Sequence, residues 1–110
     1  MIAISVDKDW KSMLKMIIPK AYEVYVTRFS VQGRQAVDPK LLFQEAQKYA
    51  CRKNSVHLFS DPIQAYQTAL KKLASNDALL LTGSFYLAGD IRRLYCPEEE
   101  ILNNRGSDIY

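Results

Sequence analysis

Three groups of polar residues in this chain have the types and spacing needed to hold an anion or an amine. Asp7-Lys8-Asp9 sets an ammonium group between two carboxylates, which suits a phosphate or an amino group. Thr82-Gly83-Ser84 offers backbone N–H groups and a hydroxyl at the start of a helix, an arrangement that binds anions. Arg34, in a loop that contains Gly33, can make a two-pronged contact with a carboxylate or a phosphate. A polar turn, a helix cap and a solvated arginine are the structural alternatives at these three places.

The remaining chemistry-bearing residues indicate neither a metal site nor a nucleotide site. His57 alternates with Val56 and Leu58 in an apolar run, which is typical of a surface or partly buried histidine. Cys51 and Cys96 are too few for a disulfide framework and lack metal-ligand spacing to His57, so we predict reduced thiols in a cytoplasmic protein and no zinc site. The sequence has neither a Gly-x-x-x-x-Gly-Lys phosphate loop nor a Gly-x-Gly-x-x-Gly turn. We therefore assign no catalytic residue and expect no self-sufficient enzyme.

Apolar runs that alternate with amphipathic stretches must position these polar groups. Short β-branched or apolar runs predict four strands, at residues 2–6, 23–27, 55–59 and 78–82. An aspartate before each amphipathic stretch predicts three helix caps, at Asp9, Asp38 and Asp61. A proline follows the second and third caps at the first helical position, and a fourth, short helix is predicted at residues 85–93. The alternation predicts an α/β fold with a largely parallel sheet and helices on both faces.

Composition and charge are those of an ordinary globular domain. The chain has 110 residues, 48% hydrophobic and 25% charged, with a net charge of +3. No apolar window approaches the roughly 20 residues of a membrane span, and no secretory signal opens the chain, so we expect no membrane partner. Scattered basic residues argue against nucleic acid, although a mildly basic body attracts anionic ligands unless it is merely a solvated surface. We expect a domain at residues 1–96 and an acidic flexible tail at 97–110.

Four segments taken together resemble one protein family. They are residues 5–9 before a Met- and Leu-rich helix, residues 23–27 with Arg34 seven positions after the threonine, residues 61–70, and residues 79–93. Their order and spacing resemble the C-terminal domain of bifunctional dihydrofolate synthase/folylpolyglutamate synthase, within the Mur ligase superfamily. The match covers about residues 2–95, and its most specific part is Leu-Thr-Gly-Ser-Phe-Tyr-Leu-Ala-Gly around Gly83.

The chain lacks two parts that enzymes of this family carry, namely the N-terminal ATPase domain and the strand with an Asp-Gly-Ala-His-Asn-Pro turn that opens their C-terminal domain. The resemblance implies a partial three-layer α/β/α, Rossmann-like domain with a mostly parallel four-stranded sheet in the order 4-1-2-3. That order places Asp7-Lys8-Asp9 next to Gly83-Ser84, where the strand order reverses. The missing strands would leave residues 78–82 as an open edge, so we expect self-association there.

The resemblance implies part of an ATP-dependent ligase that forms an amide bond. In such enzymes ATP phosphorylates a carboxylate of dihydropteroate or of a folate glutamate chain, and the amine of L-glutamate attacks the acyl phosphate. The C-terminal domain closes over the ATPase domain and helps to hold the glutamate. The matching residues imply a glutamate-carboxylate contact for Ser84, a place near the reacting group for Lys8 with Asp7 beside it, and cleft positions for Thr27 and Arg34. ATP and magnesium belong to the intact enzyme.

Two other interpretations stay open. One is a small α/β interaction module without cleft chemistry. The other is a fragment of a related ligase that adds an amino acid to a peptidoglycan precursor, which resembles this chain less across residues 83–91. An Asp-Gly-Ala-His-Asn-Pro turn encoded upstream of Met1 would indicate the folylpolyglutamate synthase family, and its absence would favour the interaction module.

Calorimetry with Mg-ATP tests what the missing phosphate loop implies. We expect the 110-residue chain to show no binding in the micromolar range and no ATP hydrolysis, because no backbone cradle for the phosphates is encoded. A saturable isotherm at low micromolar ATP would contradict this expectation.

Overall fold

Two parallel strands form the sheet of the computed structural model, which describes residues 1–92. They are β1 (Val24–Val26) and β2 (Val56–Leu58), and their register aligns Tyr25 with His57. Helices α1 (Trp10–Ile17), α2 (Pro39–Gln47), α3 (Pro62–Lys72) and α4 (Phe85–Arg92) surround the sheet, and a 3₁₀ turn at Ile18–Lys20 follows α1. The chain is therefore a small α/β domain, as the alternating pattern predicts. The predicted tail at 97–110 lies outside the described residues.

Two further extended segments flank β1 through isolated parallel bridges. Ile2 bridges Val26 on one side and Thr82 on the other. The N–H of Ile2 donates to the Tyr25 carbonyl at 2.8 Å, and the N–H of Thr82 donates to the Met1 carbonyl at 3.1 Å. In place of the strands predicted at residues 2–6 and 78–82, the structure therefore has isolated bridges and no continuous ladder. The first loses its parallel neighbour after Ala3, and the second has a neighbour on one side only within residues 1–92.

The segment predicted as a loop at residues 28–37 returns to pair with the N-terminal segment. Ser5 and Ala36 form an antiparallel bridge, and the N–H of Val37 donates to the Ile4 carbonyl at 2.8 Å. The return begins at a turn where the N–H of Arg34 reaches the Val31 carbonyl at 3.3 Å. Gly33 has a φ of +82° in this turn, a conformation that glycine adopts without strain.

The three predicted helix caps are confirmed. The carboxylates of Asp9, Asp38 and Asp61 accept hydrogen bonds from backbone N–H groups one turn into α1, α2 and α3, at 3.4, 3.0 and 2.9 Å. Proline occupies the first position of α2 and α3, where a helix needs no N–H donor. Among the helices of residues 1–92, none has both the length and the apolarity that crossing a membrane requires.

Buried side chains form two apolar clusters. Successive residues of the extended segments belong alternately to one cluster and to the other. Side chains of Ile2, Ile4, Val24 and Val26 pack with Leu14 of α1, with Ile18 of the 3₁₀ turn, and with Leu42 and Ala46 of α2. Side chains of Met1, Ala3 and Tyr25 pack with α3 and α4 through Ala65, Ala69, Leu87 and Ile91. Because successive side chains of an extended segment point to opposite faces, this division places the two helix pairs on opposite sides of the sheet.

Gly83 lies where the chain after Thr82 passes directly over the N-terminal segment. Its φ is +92°, and a Cβ atom there would lie 2.6 Å from the carbonyl oxygen of Ala3. Both the backbone conformation and the close approach therefore require glycine at this position.

Replacing Gly83 tests this close approach. We expect Gly83→Ala to lower the free energy of unfolding by about 2–4 kcal/mol, since the methyl group must displace backbone in addition to straining φ. Gly33→Ala is the matched control: its φ is also positive, but nothing lies within 4 Å of the added carbon. Urea unfolding measures both variants, and we expect the control to lose about 1 kcal/mol of the free energy of unfolding. Equal losses in the two variants would contradict the close approach.

Candidate functional site

A cavity of about 520 Å³ opens at the carboxyl ends of β1 and β2. Its walls are residues 28–31, which follow β1, Ser60, which follows β2, and residues 34–39, which lead into α2. Ligands of open α/β sheets bind outside the carboxyl ends of the strands, so this cavity is the candidate site. We refer to it as the arginine cleft, because Arg28 and Arg34 both line it.

Arg28 is the residue that the structure adds to the candidate site. Its side chain is exposed, and its Nε donates to the Ser60 carbonyl at 3.0 Å. This bond ties the guanidinium across the end of β2. The terminal guanidinium nitrogens have no protein acceptor within residues 1–92, and they are the atoms that bind a carboxylate in a two-pronged contact.

Arg34 meets Asp7 next to the antiparallel bridge between Ser5 and Ala36. Residues 5–8 form a turn there, in which the N–H of Lys8 donates to the Ser5 carbonyl at 3.1 Å. The guanidinium Nη1 is 3.5 Å from the Asp7 carboxylate, and both side chains are about half exposed. Such a pair contributes little to stability in water. The charge of Arg34, which lines the cleft, therefore stays accessible.

A hydrogen bond from the Ser5 hydroxyl is the main reason that the pKa of Asp7 lies below its ordinary value, and the charges of Lys8 and Arg34 add to the effect. The same hydroxyl also lies 3.4 Å from the Gln35 carbonyl. Asp7 is consequently ionised at neutral pH. It supplies a carboxylate that can hold a ligand amine.

Of the five predicted site residues only Arg34 lines the arginine cleft; Asp7, Lys8, Thr27 and Ser84 do not. Lys8 is exposed, and its side chain has no partner within residues 1–92. Thr27 is fully buried, its N–H donates to the Ile2 carbonyl at 3.0 Å, and its hydroxyl has no hydrogen-bond partner among residues 1–92. Ser84 follows Gly83, on the side of the N-terminal segment away from β1. The structure thus brings together Asp7 and Arg34 only.

The Ser84 hydroxyl caps α4, which is the structural alternative that the sequence offers for the Thr82-Gly83-Ser84 segment. It accepts a hydrogen bond from the N–H of Tyr86 at 3.0 Å. A hydroxyl that accepts one bond still has its own hydrogen to donate. Ser84 can therefore cap the helix and donate to an anion at the same time. Within residues 1–92 it makes no hydrogen bond to Asp7 or Lys8.

One polar cluster escaped the sequence prediction. Glu23 accepts from Arg52 at 2.7 Å through one carboxylate oxygen and lies 2.7 Å from Nε2 of His57 through the other. The His57 ring stacks on Tyr25 with centroids 5.0 Å apart, and the Arg52 guanidinium lies 3.5 Å above the ring of Tyr22. The sequence offered one clue to this cluster, the predicted neighbourhood of the strands at residues 23–27 and 55–59. In the structure that pairing aligns Tyr25 with His57.

The Glu23 cluster lies at the amino end of β1, away from the arginine cleft. Burial, the largest single influence, favours the protonated carboxyl, but the hydrogen bonds and charges of His57 and Arg52 together outweigh it. The pKa of Glu23 is therefore below its ordinary value. Among residues 1–92, no three His, Cys, Asp or Glu side chains come together in a way that could hold a metal ion.

Comparisons with family models, with curated proteins and with solved structures find no match for the chain.

The lowered pKa of Glu23 predicts an acid-dependent loss of stability. The unfolded carboxyl titrates near 4.5 and the folded one lower, so the stabilisation is complete above about pH 4.5 and is lost as the pH falls through the lowered pKa. We expect Glu23→Gln to lower the free energy of unfolding at neutral pH, and this loss should become smaller as the pH falls. Urea unfolding of the variant and of the unmodified chain across this pH range measures the loss.

The variant His57→Leu provides the second arm of this experiment. Leucine has no hydrogen-bond donor for Glu23, so the acid dependence of this variant should be weaker than that of the unmodified chain. A deficit for Glu23→Gln that stays constant from neutral to acid pH would show that the carboxylate is not stabilised by its partners.

Proposed function

We propose that this chain is the glutamate-binding, C-terminal part of a cytoplasmic ATP-dependent ligase that adds L-glutamate to dihydropteroate or folate. The observation that carries the proposal is the arginine cleft, which sets two guanidinium groups at the carboxyl ends of β1 and β2. The four-segment resemblance supplies the reaction class. The cleft supplies the chemistry that a dicarboxylate ligand needs.

The arrangement of the extended segments supports a sheet of the kind that the resemblance implies. The parallel bridges from Ile2 to Val26 and to Thr82 extend the two-stranded sheet on one side. With them the order would be 4-1-2-3, and the two buried clusters would make three layers. We propose this four-stranded, Rossmann-like arrangement as the scaffold of the site.

Charge and position support glutamate as the ligand. A ligand with two carboxylates matches Arg28 and Arg34, which line the cleft. Its ammonium group matches the ionised Asp7, which contacts Arg34 from outside the lining. Lys8 follows Asp7 and adds a further cation at the same end of the sheet. Thr27 is buried and outside the lining, so the proposal gives it no direct contact with the ligand.

The proposed ligase needs ATP and magnesium, whose chemistry is to convert the accepting carboxylate into an acyl phosphate. The sequence has no phosphate loop, so the proposal places both on an ATPase domain outside this chain. Folate or dihydropteroate would bind in part to that domain. The residues of this chain would orient the glutamate amine towards the acyl phosphate.

An interaction module is the second candidate function. A second cavity, of about 560 Å³, lies near the amino ends of the strands and is lined largely by apolar side chains such as Met16, Leu73 and Leu80. Exposed apolar surface of this kind is typical of a contact with another protein. The apolar cavity favours a protein partner, and it is compatible with ligand binding in the arginine cleft.

An NMR titration with L-glutamate tests the proposed function. We expect the amide signals of Arg28, Ser30 and Ser60 to shift saturably, and L-glutamine, which lacks the side-chain carboxylate, to bind more weakly. Arg28→Gln or Arg34→Gln should weaken glutamate binding by roughly ten- to a hundred-fold, because a hydrogen bond to a charged group contributes about 1.5–3 kcal/mol. Lys53→Gln removes one positive charge at the amino end of β2 and should leave binding unchanged.

Ser84→Ala separates a ligand contact from a helix cap. If the hydroxyl donates to the ligand, glutamate binding should weaken by a similar factor. If it only caps α4, the variant should lose about 1 kcal/mol of stability and bind normally. No saturable shift at residues 28–39 and 60, or equal binding of glutamate and glutamine, would overturn the proposed function.

A further inference from the structure

The apolar cavity of about 560 Å³ has an exposed rim and a buried floor. Met16 and Tyr22, at the rim, are 69% and 71% exposed. Ile18, Val24 and Ala69, which form part of the floor, are at most 3% exposed. The rim suits a contact with a protein partner, whereas the space above the floor has the size and the apolar lining of a small-molecule site, roughly 300–1,000 Å³.

Two lysine side chains line the apolar cavity from opposite faces of the sheet. Lys20 ends the 3₁₀ turn that follows α1, and Lys72 ends α3. Both side chains are exposed, and neither ammonium group has a hydrogen-bond or ion-pair partner within residues 1–92. Their charges are therefore available to a ligand that enters the cavity.

The other ionisable groups that line the apolar cavity offset these charges only in part. Glu23 lies 2.7 Å from Arg52 through one carboxylate oxygen and 2.7 Å from His57 through the other, and the charge of Arg52 balances its own. Asp77 accepts a hydrogen bond at 2.9 Å from the backbone N–H three residues earlier. Burial lowers the pKa of the Met1 amine to about 6, so this amine carries little charge at neutral pH. The excess of positive charge along the lining favours an anionic ligand.

We propose that the apolar cavity binds an amphiphile with one aliphatic chain and one carboxylate, the chemistry of a medium-chain fatty acid. The chain would lie over the floor at Ile18, Val24 and Ala69, where it leaves water for apolar surface. The carboxylate would contact Lys20 and Lys72. This site lies at the opposite end of the strands from the arginine cleft, and it does not rest on the proposed function.

An NMR titration of the 110-residue chain with sodium decanoate, below the concentration at which it forms micelles, tests the proposal. We expect the amide signals of Ala69, Leu73 and Leu80 to shift saturably, with one decanoate bound per chain. Octanoate should bind roughly tenfold more weakly, because each buried methylene group tightens binding about three- to fourfold. Decanol, which has the same chain without a charge, should bind more weakly than decanoate, and decylammonium more weakly still.

Lysine variants test the contact with the carboxylate. The double variant Lys20→Gln with Lys72→Gln should weaken decanoate binding about three- to twentyfold, the range expected for two exposed ion pairs, and leave decanol binding unchanged. Both side chains are exposed, so the melting temperature should be unchanged. Lys40→Gln with Lys53→Gln removes the same charge at exposed positions outside the lining and is the matched control.

Four results of the titration would overturn the proposal: no saturable shift, more than one decanoate per chain, decanol binding as tight as decanoate binding, or unchanged decanoate affinity in the double variant of Lys20 and Lys72. Two further results would assign the apolar cavity to another occupant. Self-association that shifts the same signals and that decanoate does not displace would indicate a second copy. Flotation with vesicles of phosphatidylcholine and phosphatidylglycerol, without decanoate binding, would indicate a bilayer surface. None of these results depends on glutamate binding in the arginine cleft.

Discussion

The backbone of residues 1–6 is the element on which the other pairings depend. Its N–H and C=O groups point alternately to two sides, so one short segment holds three others. Ile2 bonds to Tyr25 and Thr27 on one side, and residues 1 and 3 bond to Thr82 on the other. Residues 4 and 6 then bond to the returning segment at residues 35–37. A shift of one residue would send every buried side chain of the segment to the wrong face.

The candidate site follows from this segment and not from any single motif. The turn that follows the bridge between Ser5 and Ala36 brings Asp7 to Arg34, and the parallel bridge between Ile2 and Thr82 sets Gly83 against Ala3. Because the ion pair between Asp7 and Arg34 is exposed, a ligand carboxylate can replace Asp7 on the guanidinium without a large penalty. Arg28 needs no such exchange, since its bond to Ser60 leaves its terminal nitrogens open.

Local signals in the sequence were sufficient for the helices and insufficient for the strands. The caps at Asp9, Asp38 and Asp61 act on N–H groups two or three residues away, so residue type and spacing predict them. The strand bounds depend on partners far along the chain. The return at residues 35–37 pairs with residues 4–6, and no periodicity marks it. The extended segments are therefore shorter, and the loop more ordered, than the pattern predicts.

The candidate site shows the same division. Sequence reasoning selects the residues after each strand, because parallel strands end at one edge, and the arginine cleft opens at that edge. Within it, Arg28 was passed over in favour of Thr27, which the structure buries completely. Glu23 and His57 are 34 residues apart in sequence, so their contact becomes visible only when β1 and β2 are paired.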